Sequence, residues 1–129
     1  MNNLVDSSAW VEYFRGNPKF SFISELISVN SVCTNDVILA EILPSIVHKN
    51  EHRLAELLNC VKKIPLSVDW PEVRNIQLLN LRHGNDNIGL SDIVVAQNCM
   101  QNDLMIIVHN RYFKAMAGYI PLRIYGSGG

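Results

Sequence analysis

Short apolar runs alternate with amphipathic stretches along this chain. The apolar runs predict short strands at residues 2–6, SVCT, KKIPLS, LMIIV and PLRIY. Between them, apolar positions recur at helical spacing. These positions predict helices over about residues 7–15 and in FSFISELISV, NDVILAEILPSIVHKN, EHRLAELLNCV, DWPEVRNIQLLNLRHG, SDIVVAQNCMQND and HNRYFKAMAG. Such alternation is typical of βαβ units, so the chain is predicted to be α/β, with a parallel sheet covered on both faces.

Capping residues and breakers place several helix ends. Asp69 followed by Pro71 predicts a helix start, and Gly84 predicts its end. Ser91 is the expected N-cap of the helix that follows. Pro44 falls inside a helical pattern, where it is expected to kink or divide the helix because proline lacks the backbone N–H donor.

Length and composition indicate one ordinary domain. The chain has 129 residues, of which 48% are hydrophobic and 18% charged. We expect a single domain over residues 1–125 and, in residues 126–129 (GSGG), a flexible tail or an expression remnant. A formal net charge of −1 excludes a global basic field, so a nucleic-acid partner would need a local patch.

Sequence features also favour a cytoplasmic protein with no membrane span. No apolar run approaches the roughly 20 residues of a membrane helix, and Asp6 interrupts the N-terminal apolar run. Cys33, Cys60 and Cys99 are odd in number and lie in apolar runs, which predicts reduced core thiols. The absence of a histidine or cysteine cluster argues against structural zinc. Trp10, Phe14 and Trp70, at helical positions, are assigned to the core.

Three carboxylates stand at or near element junctions and are the candidate chemistry. Asp6 ends the first strand, Glu41 is the sole charge in VILAEIL, and Asp92 falls in the first turn of its helix. Each also has a structural explanation, as a helix cap, a surface carboxylate or a partner of the helix dipole. Carboxylates that converge at the carboxyl edge of a sheet repel one another, and a bound Mg²⁺ or Mn²⁺ relieves that repulsion.

An ordered set of segments carries a family resemblance over residues 2–125. The segments are LVDSSAWVEYFRG, TNDVILAEIL, GLSDIVVAQNC and MIIVHNRYF. Together they resemble the PIN-domain nucleases, specifically the VapC-type toxins of toxin–antitoxin pairs. In that family acidic residues stand where this chain has Asp6, Glu41 and Asp92. A further acidic residue is usual three positions before an aromatic residue; here the aromatic is Phe113, and the matching position holds Asn110.

The resemblance implies a three-layer α/β/α sandwich with a short, mostly parallel central sheet. It further implies a Mg²⁺- or Mn²⁺-dependent endoribonuclease that cleaves RNA, forms a homodimer and is bound by a small cognate antitoxin. Asp6, Glu41, Asp92 and Asn110 are the expected catalytic residues, and the three acids among them are the expected metal ligands. Four basic side chains are candidate phosphate contacts: Arg15, Arg82, Arg111 and Lys114.

Two alternatives to an active nuclease stay open on the sequence. Asn110 is compatible with a catalytically weak or degenerate PIN-fold module that binds antitoxin or RNA without efficient turnover. A phosphotransfer domain with an acidic Mg²⁺ site is the other, although a haloacid-dehalogenase-like phosphatase has a second Asp where Ser8 stands.

Overall fold

The fold alternates strands and helices throughout the described residues. The computed structural model describes residues 2–126. The strands are β1 (Asn3–Val5), β2 (Val32–Thr34), β3 (Lys62–Lys63), β4 (Met105–Ile107) and β5 (Arg123–Ile124). The helices are α1 (Ser7–Phe14), α2 (Ile23–Ser28), α3 (Asp36–His48), α4 (His52–Cys60), α5 (Trp70–Arg82), α6 (Leu90–Gln101) and α7 (Arg111–Met116). A 3-10 turn at Pro18–Phe20, which the sequence pattern did not predict, precedes α2.

The five strands form one parallel sheet in the order β3-β2-β1-β4-β5. Helices flank the sheet, so the predicted α/β class and three-layer architecture are confirmed. The strand order reverses between β1 and β4, which are hydrogen-bonded neighbours. In open parallel sheets a ligand crevice lies outside the carboxyl ends of the strands at such a reversal. The fold therefore directs attention to the residues that follow β1 and β4.

The central strands are apolar because both of their faces are covered. Leu4 and Val5 in β1 and Ile106 in β4 expose 2% of their surface or less. Trp10 on α1 and Phe113 on α7 are also fully buried and are among the largest side chains of the core. Transfer of apolar surface out of water, about 25 cal/mol per Å², holds this core together.

Local signals located some helix boundaries and missed others. Asp69 caps α5 by accepting the Glu72 backbone N–H at 3.2 Å, as predicted. The prediction for α6 is wrong by two residues: Gly89 is the N-cap, and Ser91 lies within the first turn. Pro44 does not divide α3, which runs through it. Proline removes one backbone hydrogen bond, and burial of residues such as Ile38 and Ile42 on the same helix outweighs that loss.

Two side chains predicted to be buried lie at the surface. Cys60 is exposed at the end of α4, whereas Cys33 and Cys99 are buried. Trp70 is 50% exposed because it opens α5, where only part of the indole reaches the protein. Within residues 2–126, no helix combines the length and the apolar character needed to cross a membrane. Apart from Gly126, the expected tail at 126–129 lies outside the described residues.

Candidate active site

The carboxyl edge of the sheet, at the reversal between β1 and β4, carries an open cavity of about 530 Å³. Asp6 follows β1, Glu41 comes from the middle of α3, Asp92 from the first turn of α6, and Asn110 immediately precedes α7. All four predicted site residues line this cavity. We call it the acidic pocket. Four elements distant in sequence therefore bring three carboxylates and one amide to one place.

Asp6 is the most buried of the three acids, with 2% of its surface exposed. Its backbone N–H donates to the Ile107 carbonyl at 2.9 Å, which fixes the end of β1 against β4. As the N-cap of α1, its Oδ2 accepts the Ser8 backbone N–H at 3.2 Å. Its Oδ1 is buried and has no hydrogen-bond partner among the described residues. A buried carboxylate oxygen without a donor is costly, so this atom calls for an explanation.

The Ser8 hydroxyl holds Asp6 in place. Ser8 Oγ donates to Asp6 Oδ2 at 2.7 Å and accepts the backbone N–H groups of His109 and Asn110 at 3.1 and 3.3 Å. One hydroxyl thus joins the start of α1 to the segment before α7. Ser8 was not among the site residues predicted from the sequence. Its position two residues after a strand-ending carboxylate is the signal that marks it as a positioning residue.

Glu41 is exposed on α3 and lines the acidic pocket together with the other two acids. Its Oε1 accepts a long hydrogen bond from Ser7 Oγ at 3.4 Å. Burial raises the pKa of the Glu41 carboxyl, and the negative charges of Asp6 and Asp92 raise it further. Ser7 and Ser8 therefore each orient one carboxylate of the pocket. The two hydroxyl residues after Asp6 thus have separate partners, Glu41 for Ser7 and Asp6 for Ser8.

Burial also raises the pKa of Asp6, and the pKa of Asp92 is the third one raised in the pocket. Burial is the main cause, and the charge of Asp6 adds to it, while a hydrogen bond from the Asn110 side chain acts in the opposite direction. Asn110 uses its Oδ1 to cap α7 by accepting the Tyr112 backbone N–H at 2.7 Å. Its amide nitrogen is the group that remains to donate to Asp92. Asn110 therefore meets the cluster as a hydrogen-bond donor.

A fourth carboxylate of the acidic pocket, Glu12, differs from the three predicted ones. Asn17 donates to its Oε1 at 3.0 Å, and the Arg15 guanidinium lies 3.2 Å from its Oε2. The pKa of Glu12 is lowered, chiefly by the Asn17 hydrogen bond. The sequence-predicted phosphate contact Arg15 is thus already paired with an acid. Glu12 therefore differs from Asp6, Glu41 and Asp92 because a cation neutralises its charge.

The pocket contains donors that suit a divalent cation, although they are not gathered around one point. Among residues 2–126, no three His, Cys, Asp or Glu side chains stand close enough to hold a metal ion together. The chemistry of the donor set nevertheless fits: carboxylate oxygens are the ligands of Mg²⁺ and Mn²⁺. The unpartnered Oδ1 of Asp6 and the three raised pKa values are the features that a cation would relieve.

Comparisons with known proteins agree with this fold. A family model described as the PIN domain matches residues 4–119. The chain is similar in structure to VapBC2 from Rickettsia felis, which was solved bound to a DNA fragment from the VapBC2 promoter. The TM-score is 0.71 at 17% identity, over 96% of this chain and 97% of that one. VapBC-1 from nontypeable Haemophilus influenzae gives a TM-score of 0.69 at 16% identity, covering 96% of each chain. These likenesses show the fold. No curated protein matches the sequence.

Proposed function

The chain belongs to the PIN domain family, and from that premise we propose that it is a divalent-cation-dependent endoribonuclease. We further propose that it acts as the VapC-type toxin of a toxin–antitoxin pair. One observation carries the proposal: three carboxylates from separate elements, each with a raised pKa, line one open pocket at the strand-order reversal. Structural carboxylates are normally compensated as Glu12 is, and these are not.

In the proposed mechanism each residue has a separate task. Asp6, Asp92 and Glu41 would hold Mg²⁺ or Mn²⁺, which supplies Lewis-acid stabilisation of the negative charge that develops on a phosphodiester. Ser8 fixes the orientation of Asp6, and the Asn110 amide fixes Asp92. Glu41 is the least buried of the three acids, so it is also placed to orient an attacking water and to accept its proton.

A groove beside the acidic pocket supports an antitoxin as partner. This groove, of about 240 Å³, shares Val11 and Ile42 with the acidic pocket. Phe14, Ile46 and Leu54 give it an apolar floor, and charged residues, among them Lys49, also line it. A partner segment laid in the groove would therefore end over the carboxylates. The similar structures VapBC2 and VapBC-1 are named as paired systems, which supports a protein partner for this chain as well. A small cognate antitoxin that covers the pocket is the partner we propose.

Helix α5 supports the proposed homodimer. Trp70, Leu78 and Leu81 are 50%, 42% and 55% exposed and lie on one side of this helix. Clustered exposed apolar side chains indicate a protein contact, and a two-fold dimer would bury this side against its own copy. Light scattering on the wild type and on Leu81→Glu should give a dimer and a monomer; two dimers would remove α5 from the interface.

The nuclease activity is tested with purified protein and mixed single-stranded RNAs. We expect cleavage with Mg²⁺ or Mn²⁺ and none with EDTA, and we expect Asp92→Asn to lose it. Asp103→Asn is the matched control, because it removes the same charge before β4, at the opposite edge of the sheet. Cleavage that survives EDTA, or that both variants lose equally, would contradict the proposal.

The second candidate is a PIN-fold module that binds RNA or antitoxin without efficient turnover. The neutral Asn110, with its oxygen committed to capping α7, is the observation that favours it. The same assay separates the candidates. RNA binding with no cleavage at any cation concentration would select the binding module.

A further inference from the structure

A second polar cavity lies beside the acidic pocket. Its volume is about 420 Å³, and its two walls are the loop from Gly84 to Asn87 and the first residues of α7. We call it the α7 cavity. Neither the sequence pattern nor the proposed mechanism assigns it a role.

Residues that are neighbours in the sequence line the two cavities. Asn110 lines the acidic pocket, while Arg111 and Tyr112, the next two residues, line the α7 cavity. Asn87 lines the α7 cavity four residues before Ser91, which lines the acidic pocket. Adjacent Cα atoms are about 3.8 Å apart. A flexible polymer held in one cavity is therefore within reach of the other.

The α7 cavity offers hydrogen-bonding groups that the fold leaves free. Within residues 2–126, the side chains of Asp86, Asn87 and Arg111 are exposed and take part in no hydrogen bond or ion pair that the structure shows. Asn85 is held in place instead, because its amide donates to the Tyr119 hydroxyl at 3.1 Å. The cavity thus presents a carboxylate, an amide and a guanidinium, and the loop that carries the first two is held in place at Asn85.

Arg111 also contacts the aromatic ring of its neighbour. Its guanidinium carbon lies 5.8 Å from the centre of the Tyr112 ring, within the range of a cation–π contact. Bases of single-stranded RNA are recognised by stacking on aromatic or arginine planes, together with hydrogen bonds to their edges. Arginine, asparagine and aspartate are the side chains whose donors and acceptors match base edges.

The α7 cavity contributes a cation next to the acidic pocket. The acidic pocket itself repels a polyanion, so a bound strand must be held by cations nearby. Arg15, across the pocket, is paired with Glu12, and Arg123 is paired with Asp103. Arg111, adjoining the pocket, has no acidic partner among the described residues. It is therefore a cation available to a strand that enters the pocket.

We infer that the α7 cavity binds one nucleobase of a single-stranded RNA whose neighbouring phosphodiester lies in the acidic pocket. Arg111, Asp86 and Asn87 read its edge. This inference rests on the proposed function, since it takes RNA as the substrate, and it adds a base preference next to the cleaved bond. Arg111 is thereby a specificity residue, distinct from a general phosphate contact.

The test measures binding separately from cleavage. Short single-stranded oligoribonucleotides that differ at one position, including one with an abasic nucleotide, are titrated by fluorescence anisotropy in the cleavage-blocked Asp6→Asn protein. We expect one base to bind on the order of tenfold more tightly than the abasic site. Adding Arg111→Ala, or separately Asp86→Ala, should reduce that ratio to about twofold or less.

Two control variants separate base recognition from charge. Arg111→Lys keeps the charge and should keep the average affinity while losing the base preference, because lysine lacks the bidentate fork. Lys114→Ala removes a charge from the same helix outside the cavity, and should weaken all oligonucleotides alike. A base preference that survives Arg111→Ala, or an Arg111→Ala effect equal to that of Lys114→Ala, overturns the inference.

The remaining outcomes distinguish this inference from the proposed function. Base-selective binding by a protein that never cleaves RNA supports the inference and contradicts the nuclease. Cleavage with no base preference in binding does the reverse. If Arg111→Ala weakens binding of a protein partner and leaves RNA discrimination unchanged, the cavity is a protein contact and the inference is wrong.

Discussion

Asp6 and Asn35 occupy equivalent places in the fold and behave differently. Each follows a strand of the sheet, β1 and its neighbour β2, and each is the N-cap of the next helix. Both are buried, at 2% and 0% exposure. Asn35 accepts the Ile38 backbone N–H at 3.0 Å and donates to Asn98 Oδ1 at 2.9 Å. Asp6 Oδ1 has no partner among the described residues.

The difference separates a polar group that builds the fold from one that serves chemistry. Asn98 continues the neutral network by donating to the Pro65 carbonyl at 3.0 Å, so the contacts of Asn35 and Asn98 are mutually satisfied. The Asp6 carboxylate instead faces the negative charges of Glu41 and Asp92. Helix α6 contributes to both places, with Asn98 to the first and Asp92 to the second. A fully satisfied position contributes stability, whereas an uncompensated one is retained at a cost in stability.

The largest expected effect comes from making Asp6 resemble Asn35. In Asp6→Asn, the side-chain oxygen still caps α1, and only the charge and one acceptor are lost. Because removal of one well-placed electrostatic group at a reaction centre costs on the order of 10²–10³ in rate, RNA cleavage should fall by that factor. Initial rates at fixed Mn²⁺, with circular dichroism as the folding control, measure it. A well-folded variant with unchanged rate would show that Asp6 is outside the reaction centre.

The opposite exchange, Asn35→Asp, should damage the fold. A carboxylate at this site is buried without a cation and loses the donor that Asn98 Oδ1 requires, and an uncompensated buried charge costs about 3–5 kcal/mol. Urea unfolding at pH 7 measures the loss. Asn98→Ala, which leaves the Asn35 amide without its acceptor, should cost about 1–3 kcal/mol and serves as the milder variant. If both variants unfold like the wild type, the network has no structural role.

The comparison also predicts a pH dependence of stability. Burial raises the pKa of Asp6 above its ordinary value of 3.8. A raised folded-state pKa stabilises the protein below the unfolded pKa, and this stability is lost as the pH rises through the folded value. Asp6→Asn should therefore match the wild type near pH 3.8 and become progressively more stable than it at higher pH without a divalent cation. Urea unfolding from pH 4 to 8 in EDTA tests this; a pH-independent difference would contradict it.

The sequence predicted which polar residues stand at strand–helix junctions better than it predicted which side chains they contact. Strand ends at Val5 and Thr34 follow from short, mainly apolar runs, because a strand covered on both faces has few positions for polar side chains. Asp6 and Asp92 were found because they stand at element junctions, and Glu41 because it is the sole charge in an apolar run. The partnership of Asn35 with Asn98 was not predictable, since an asparagine before a helix is an ordinary cap and the two residues are 63 positions apart.

The pairing of strands decides which junction residues meet, and local pattern carries little of that information. β1 lies between β2 and β4, so Asp6 meets the segment that follows β4. For the same reason Ser8 reaches the backbone of His109 and Asn110, a contact across about a hundred residues. Trp70 and Cys60 were misplaced because helical spacing predicts a buried side without showing where the core ends. Tertiary context decides such cases.

Asn110 gives the smallest and most discriminating prediction, because it stands between the two kinds of junction. Like Asn35, it caps a helix with its oxygen, on the Tyr112 N–H at 2.7 Å; like Asp6, it faces the acids, through its bond to Asp92. Asn110→Asp keeps the cap and exchanges the donor toward Asp92 for a further negative charge beside the acids. The melting temperature in EDTA should therefore fall by a few degrees, as expected for a loss of about 1 kcal/mol. The rise caused by Mn²⁺ should grow, and so should the cleavage rate.

The test depends on two opposite effects of Asn110→Asp: a lower melting temperature in EDTA and a larger rise in melting temperature with Mn²⁺. Asn110→Ser retains a capping oxygen but introduces no charge, so it should weaken the protein slightly in EDTA without enlarging the Mn²⁺ response. Thermal melts of the wild type and both variants, with and without Mn²⁺, give the comparison. If Asn110→Asp melts like the wild type in both conditions, the new carboxylate does not face Asp92, and Asn110 belongs with Asn35 as a cap alone. If it is destabilised equally in both, added repulsion is present but no cation shares the site.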